Sequence, residues 1–263
     1  MEKSEHNQNN INTIYNNNYY KNMLIDLFSL IQKYKINIKG ILHIGASVCE
    51  ELNMYIKCGI INENIYWIEG NEDNIQTVKK TLDNDVKIFN ALIDDKDNIE
   101  VDFNISNALM SSSLLEFGSH NYHHQGIIMI EKRKLKTIRL DTFIEEKGIP
   151  IHDLNFLNID IQGTELRAIK SLGKYIENID FIMTEINTEY VYKNCTLIDE
   201  LDIFLNGNGF LRVETKIYGN CGWGDAFYIR KSILYENQDY YNGELFKSYK
   251  TIIKGEETFF YII

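Results

Sequence analysis

Cysteine is scarce and unpatterned in this sequence. Cys49, Cys58, Cys195 and Cys221 form no C-x-x-C couple. A chain of 263 residues has no need of disulfide staples, so a disulfide framework is not expected and reduced thiols in a cytoplasmic compartment fit best. Long apolar runs are also missing: none approaches the ~20 residues of a membrane span. The N-terminus is polar and Asn-rich where a secretory signal would have an apolar core, so neither export nor a membrane anchor is expected. Basic charge is in deficit, with 27 Lys and Arg against 38 Asp and Glu, a net charge of −11. Such a chain has no broad field to neutralise phosphates, which makes nucleic acid an unfavoured partner. Its densest basic run, Glu131 to Lys136 (EKRKLK), reads as a solvated strand or loop edge. Proline occurs once; beside abundant Asn, Ile, Lys and Tyr this reflects coding bias toward A and T and says nothing of chemistry.

What is present suffices for a core. The sequence is 44% hydrophobic and 25% charged, the proportions of a folded chain. Its length suits one large α/β domain with terminal additions, because single cores stop growing near ~250–300 residues. Residues 1–20 are too poor in apolar side chains to offset their ordering entropy and are expected to form a disordered tail. Residues 21–235 are expected to form the main domain, and 236–263 an extension packed on it. From Asn22, the spacing of Met23, Leu24, Leu27, Leu30 and Ile31 predicts an amphipathic helix ending near Lys35 and packing over a sheet edge.

Beyond it the pattern alternates. Strands are predicted at Gly40–Ile44, Ile65–Glu69, Val86–Ala91, Asn155–Asp160, Asp180–Ile186, Phe210–Ile217 and Ala226–Arg230, with helices at Glu50–Cys58, Asn71–Asp83, Thr164–Tyr175 and Thr196–Asn206. Strands joined through helices require crossovers, hence a mostly parallel sheet covered on both faces. The link YGNCGWGD is too short for a crossover, so the last two strands should form an antiparallel hairpin. The predicted fold is therefore an α/β, Rossmann-like, doubly wound sheet of seven strands with an antiparallel end, the outline of the Rossmann-like methyltransferases. An extra segment interrupts it, with strands near Ile99–Ile105 and Leu135–Leu140 around the loop NALMSSSLLEFGSHNYHHQG.

In open α/β sheets ligands bind beyond the carboxyl ends of the strands. The first strand, with His43 on it, runs into Gly45-Ala46-Ser47, whose amides can face a ligand. The second ends at Glu69-Gly70, about 20 residues on, where an acid can take both hydroxyls of a ribose. The third ends at Asn90-Ala91-Leu92, where an amide can meet an adenine amine and Leu92 can pack on the ring; an ordinary turn is the competing reading. Asp160 ends the fourth strand, Glu185 lies near the end of the fifth, and Asp225 begins the reversed one, so three carboxylates should converge on one rim, with Glu165 a turn inside the following helix. That rim can bind the ammonium of an amino-acid cofactor, hold a divalent cation, or supply a general base. In the inserted loop His120, His123 and His124 are candidate proton acceptors or metal ligands, with solvated imidazoles the commoner outcome. Ser111, Ser112 and Ser113 read first as loop polarity.

The segments HIGASVCEE, WIEGN, LDTF, NIDIQGTEL, TEIN and WGDAFYIR, in that order, resemble the FkbM family of S-adenosylmethionine-dependent methyltransferases, whose members mostly O-methylate sugars and related hydroxyls. The resemblance spans Ile41 to Arg230. It implies that Gly45 and Ala46 hold the methionine part of the cofactor, Glu69 its ribose and Asn90 to Leu92 its adenine, with Asp160 facing the amino end or the acceptor. It implies a sugar or glycan acceptor whose proton passes to Asp160 first, Glu185 or Asp225 next, or His120. It also marks Ser111 to Leu115 as a family feature. One departure stands out: Cys49 occupies a place where the related motif usually has glycine, and its side chain is expected to be tolerated with weakened cofactor affinity. The competing functions are a nucleic-acid 2′-O-methyltransferase, disfavoured by the acidic balance and by Glu185 where lysine is usual, and a non-catalytic nucleotide-binding or assembly module.

Overall fold

A computed structural model describes residues 25–82, 85–236, 249–253 and 256–260. At its centre is a seven-stranded sheet in the order β3-β2-β1-β7-β8-β10-β9. Its strands are β1 (Ile41–Ile44), β2 (Ile65–Glu69), β3 (Lys87–Asn90), β7 (Phe156–Ile159), β8 (Phe181–Asn187), β9 (Phe210–Ile217) and β10 (Trp223–Arg230). Within this sheet only β10 is reversed, pairing antiparallel with both β8 and β9. The chain thus has the Rossmann-like methyltransferase architecture, with the predicted hairpin at its end.

β1, β7 and β8 are buried along their whole length, which is why they read as near-continuous apolar runs. Helices cover both faces. On one side α5 (Leu140–Lys147), α6 (Glu165–Ser171) and α7 (Ile198–Gly207) bury Phe143, Ile169 and Leu201 against Leu42, Leu157 and Ile182. On the other, α1 (Leu27–Tyr34), α2 (Leu52–Lys57) and α3 (Glu72–Thr81) bury Leu30, Tyr55 and Val78 against Trp67, Phe156 and Phe227. Asp26 caps α1 by accepting from the Phe28 and Ser29 amides. α1 lies across a broad face and also reaches the edge, where the Tyr34 hydroxyl meets Val213 O of β9 at 3.1 Å.

The inserted segment forms a second small sheet, β4-β6-β5, from β4 (Leu92–Ile93), β5 (Glu100–Ser106) and β6 (Met129–Ile138). β6 starts six residues before its predicted position because its first half is dominated by charged, solvated side chains that hide the strand period. The basic run lies there, paired in part: Lys132 with Glu116, Arg133 with Asp73 and Glu131, Lys134 with Asp102. Among the described residues three helices have no counterpart among the predictions: α5, the single turn α4 (His120–His123) and the helix Lys231–Glu236. A final helix, α8 (Lys231–Glu236), follows β10, and β11 (Tyr249–Ile253) pairs with β12 (Glu256–Phe260). The predicted tail at 1–20 and most of the 236–263 extension lie outside the described residues. Among the described residues, no helix is long and apolar enough to cross a membrane.

Candidate active site

The sheet's chain order reverses at β1, which lies between β2 and β7, and Gly45 closes β1 with φ +84°. A Cβ at this position would sit 1.7 Å from the Asp160 carbonyl oxygen, so only glycine lets the two strand ends come this close. Beyond them opens a shallow cleft. Its lining includes Gly45, Ser47, Glu69, Gly70, Ala91, Leu92 and Asp160 among the residues singled out in the sequence.

The turn after β1 is held internally. The amides of Gly45 and Ala46 donate to Ile68 O at 2.9 and 3.0 Å, and that of Ser47 donates to Glu69 Oε2 at 2.7 Å. These amides, which the sequence offers to a ligand, are already engaged, and the Ala46 methyl packs into the core. Glu69 braces both turns, its Oε1 accepting from the Asn71 amide at 2.6 Å. Burial raises its carboxyl to about 7, opposed by these two hydrogen bonds. Glu69 is buried at the base of the cleft that it lines, the place where the sequence expects a ribose.

Cys49 adopts φ +60°, the left-handed region that explains glycine in the related motif. Its side chain is buried in the apolar cluster that contains Ala46, Tyr55 and Trp67. The side chain is thus accommodated in the core, and the departure is expressed as backbone strain.

Besides Ala46, two cofactor candidates, His43 and Asn90, sit elsewhere than the cleft lining. His43 is in the core, its ring stacked on Trp67 at 4.6 Å and its Nδ1 3.0 Å from the Tyr55 hydroxyl, which in turn accepts from Asn158 Nδ2 at 2.6 Å. Strand alternation turns it away from the cleft, and burial lowers its pKa to about 3. Asn90 spends its amide on Glu69 O and Gly70 O, so it positions backbone. The apolar wall is formed by Leu92 with Phe103, Leu109, Met110 and Leu114 of the insertion, of which Phe103, Leu109 and Met110 were not selected in the sequence. A short polar loop after a strand leaves no periodic signal for such a wall. Asp94, beyond the third strand, is paired with Arg167.

Opposite this wall the acids gather. Oxygens of Asp160, Glu165 and Glu185 all lie within 4.8 Å of one another. Asp160 is open to the cleft, whereas Glu185 is 4% exposed and Glu165 fully buried. Asp225 pairs in register with Glu185 and accepts from the Tyr218 hydroxyl at 2.5 Å. Loss of water raises all four carboxyls, Glu165 and Asp225 to about 7; Asp160 adds to the rise at the other three. Gln162, held at φ +60°, inserts its amide among them: Nε2 donates to Asp160 Oδ1 at 2.5 Å and to Glu185 Oε2 at 3.1 Å, while Oε1 accepts from the Tyr192 hydroxyl. Gln162 also lines the cleft and was not singled out in the sequence.

The serine stretch docks the insertion on this centre. Ser113 Oγ donates to Gln162 O at 2.7 Å and accepts from the Leu115 amide at 2.9 Å, while Ser112 lines the cleft. His120 is 5% exposed, stacked on Phe117 at 4.0 Å and outside the cleft lining; burial lowers its pKa to about 4. His123 Nε2 meets Glu189 at 2.8 Å on the surface.

A glycine cradle, an acid beside it and an apolar wall together fit an adenosyl group, and the acidic floor suits a cationic partner. TrmK of M. capricolum, solved with S-adenosyl-homocysteine, aligns at 13% identity over 79% of this chain and 69% of that one, with a TM-score of 0.39. Sp1610 of Streptococcus pneumoniae, solved with S-adenosyl-L-methionine, aligns at 15% identity over 79% of this chain and 73% of that one, with a TM-score of 0.37. A protein of the NADB-Rossmann superfamily from Streptococcus agalactiae aligns at 11% over 82% and 78%, with a TM-score of 0.41. No curated protein matches the chain. The family model for the methyltransferase FkbM domain matches residues 42–212, the stretch that contains the Gly45 turn, Glu69, Asp160, Glu165 and Glu185. The chain therefore belongs to the FkbM family of S-adenosylmethionine-dependent methyltransferases.

Proposed function

We propose that this methyltransferase acts on a hydroxyl of a sugar or glycan, with S-adenosylmethionine held along the cleft. When bound, that cofactor supplies an electrophilic methyl group on a cationic sulfur. Gly45 and Glu69 would hold its ribose side and Ala91, Leu92 and Phe103 its adenine, because these residues combine close backbone approach, an acid and apolar surface in one lining. Ser47, through its bond to Glu69, keeps that acid in place.

Asp160 is the observation that supports an oxygen acceptor. A sugar hydroxyl is a poor nucleophile unless its proton has somewhere to go. Asp160 offers an accessible carboxylate on the cleft floor, with a proton affinity raised by lost hydration. Glu185 and Asp225 stand behind it as buried groups among which a proton can be shared. Gln162 orients Asp160 and Glu185 through its single amide nitrogen. The same acidic floor repels phosphate backbones, which favours a neutral saccharide over nucleic acid.

The test is methyl transfer from labelled donor to free glycans, glycoconjugates, RNA and protein in parallel. Label entering glycans alone is expected. Label entering RNA or protein but no glycan would reject the acceptor class. Asp160→Asn should abolish turnover while the fold and S-adenosylhomocysteine binding persist, and near-normal turnover would remove Asp160 from proton transfer.

A further inference from the structure

The carboxylate floor contains more oxygen than proton transfer uses. Glu165 is fully buried, and its Oε1 accepts from the Ile161 and Gly163 amides at 3.1 and 2.9 Å. Its Oε2 has no hydrogen-bond partner, although it is buried and the residue belongs to the trio whose oxygens lie within 4.8 Å of one another. A buried oxygen left this way costs free energy unless a ligand meets it. Nearby on the same face of β8, two residues beyond Glu185, Asn187 is fully buried with neither end of its amide hydrogen-bonded. Among the described residues, no Lys, Arg or His forms an ion pair with Asp160, Glu165 or Glu185.

We propose that Asp160, Glu165 and Glu185 form a binding site for one hard divalent cation of the Mg²⁺ or Mn²⁺ class. The dimensions suit it. With metal–oxygen distances of ~2.1 Å, opposed ligands of an octahedral ion are ~4.2 Å apart and adjacent ones ~3.0 Å, so a trio within 4.8 Å closes with small side-chain rotations. Three carboxylate oxygens are the donors such ions prefer, and the exposed side of Asp160 leaves room for water or an acceptor oxygen. Outer support is already built: the Gln162 amide nitrogen donates to Asp160 and Glu185, and the Tyr192 hydroxyl fixes the other end of that amide. Asp225 is left out, since the Tyr218 hydroxyl already donates to it. The ligand set therefore differs from the strand-end trio of Asp160, Glu185 and Asp225. Use of the ion to polarise an acceptor hydroxyl rests on the glycan reading above; its binding does not.

The full chain, stripped with EDTA and dialysed, would be titrated with MnCl₂ while free Mn²⁺ is followed by electron paramagnetic resonance, without donor or acceptor. One Mn²⁺ per chain, displaced by excess Mg²⁺, is expected, with affinity at least tenfold weaker in Glu165→Gln. In crystals soaked with MnCl₂, an anomalous peak among the three carboxylates is expected, and this readout decides the matter if the variant fails to fold. No uptake of Mn²⁺ at millimolar concentration, a peak at another site, or a folded Glu165→Gln that binds as the parent does would overturn the proposal. Mn²⁺ bound here without methylation of any glycan would sink the acceptor reading alone.

Discussion

Gly45→Ala probes the contact on which the cleft depends. The added Cβ would lie 1.7 Å from the Asp160 carbonyl oxygen, 2.7 Å from its carbon and 3.1 Å from Ile161 Cγ2. Carbon contacts are favourable only near ~3.5–4.0 Å, so the ends of β1 and β7 must separate by roughly 1.5 Å or more. Two of the three clashing atoms are backbone, which prevents relief by rotation of a side chain. Forced overpacking costs about 1–3 kcal/mol, and alanine at φ +84° adds about 1–2 kcal/mol. The sum, about 2–5 kcal/mol, is within the 5–15 kcal/mol that holds a typical domain together, so the variant should fold but melt about 5–15 °C lower. Because the Gly45 and Ala46 amides bond Ile68 O and the Ser47 amide bonds Glu69, separation also displaces the Glu69 carboxylate that lines the cleft. A misplacement of about 1 Å in a binding constellation can cost up to ~100-fold, and affinity for S-adenosylhomocysteine should fall at least tenfold. Thermal unfolding and calorimetric titration measure the two effects. A variant that melts within 2 °C of the parent and binds S-adenosylhomocysteine equally well would refute the account of this turn.

Cys49→Gly should leave stability within about 1 kcal/mol, because relief of the left-handed strain is offset by lost burial and a more flexible unfolded chain. Urea unfolding and titration with S-adenosylhomocysteine check this, and affinity gained beyond about threefold would show that the cysteine disturbs the cleft after all. The buried acids give a pH dependence of defined sign. Glu69, Glu165 and Asp225, raised to about 7, bind protons in the folded chain that they have released in the unfolded one. Without a bound cation, stability should therefore be greatest below about pH 4.5 as far as these groups are concerned, fall as pH rises, and level off above about pH 7. For Glu165, fully buried, the change is on the order of 3 kcal/mol, and coupling among the acids makes the total less than the sum. Urea midpoints at pH 5.5 and 8 measure it, and a higher midpoint at pH 8 in metal-free buffer would contradict the sign.

Much of the fold was legible from period alone. β2 begins and ends where the apolar run Ile65–Glu69 places it, since a strand buried between layers needs such a run, and β9, an edge strand buried only at Phe210 and Leu211, where the β-rich stretch Phe210–Ile217 places it. β6 was only half visible, because a solvated strand of alternating Lys, Arg and Glu obeys no burial requirement that composition records. Gly45, Glu69, Leu92 and Asp160 were readable as cleft residues because parallel strands must deliver their carboxyl ends to one rim. His43 and Asn90 show the limit: each is within two residues of a strand end, yet pleat direction and a local backbone bond turn their side chains to other work.

What the amino-acid order determined alone is the order of the seven central strands and most of the helices between them, a consequence of local periodicity and turn chemistry. Which acids share a floor was decided by the tertiary structure. Glu165 enters that floor through its bonds to the Ile161 and Gly163 amides, Gln162 reaches it from a left-handed backbone, and Phe103 closes the facing wall from a separate sheet. The Glu165 bonds are local, but its meeting with Glu185, the bonds of Gln162 to Glu185 and Tyr192, and the approach of Phe103 to the cleft join residues far apart in the chain, where side-chain direction is set by what packs opposite.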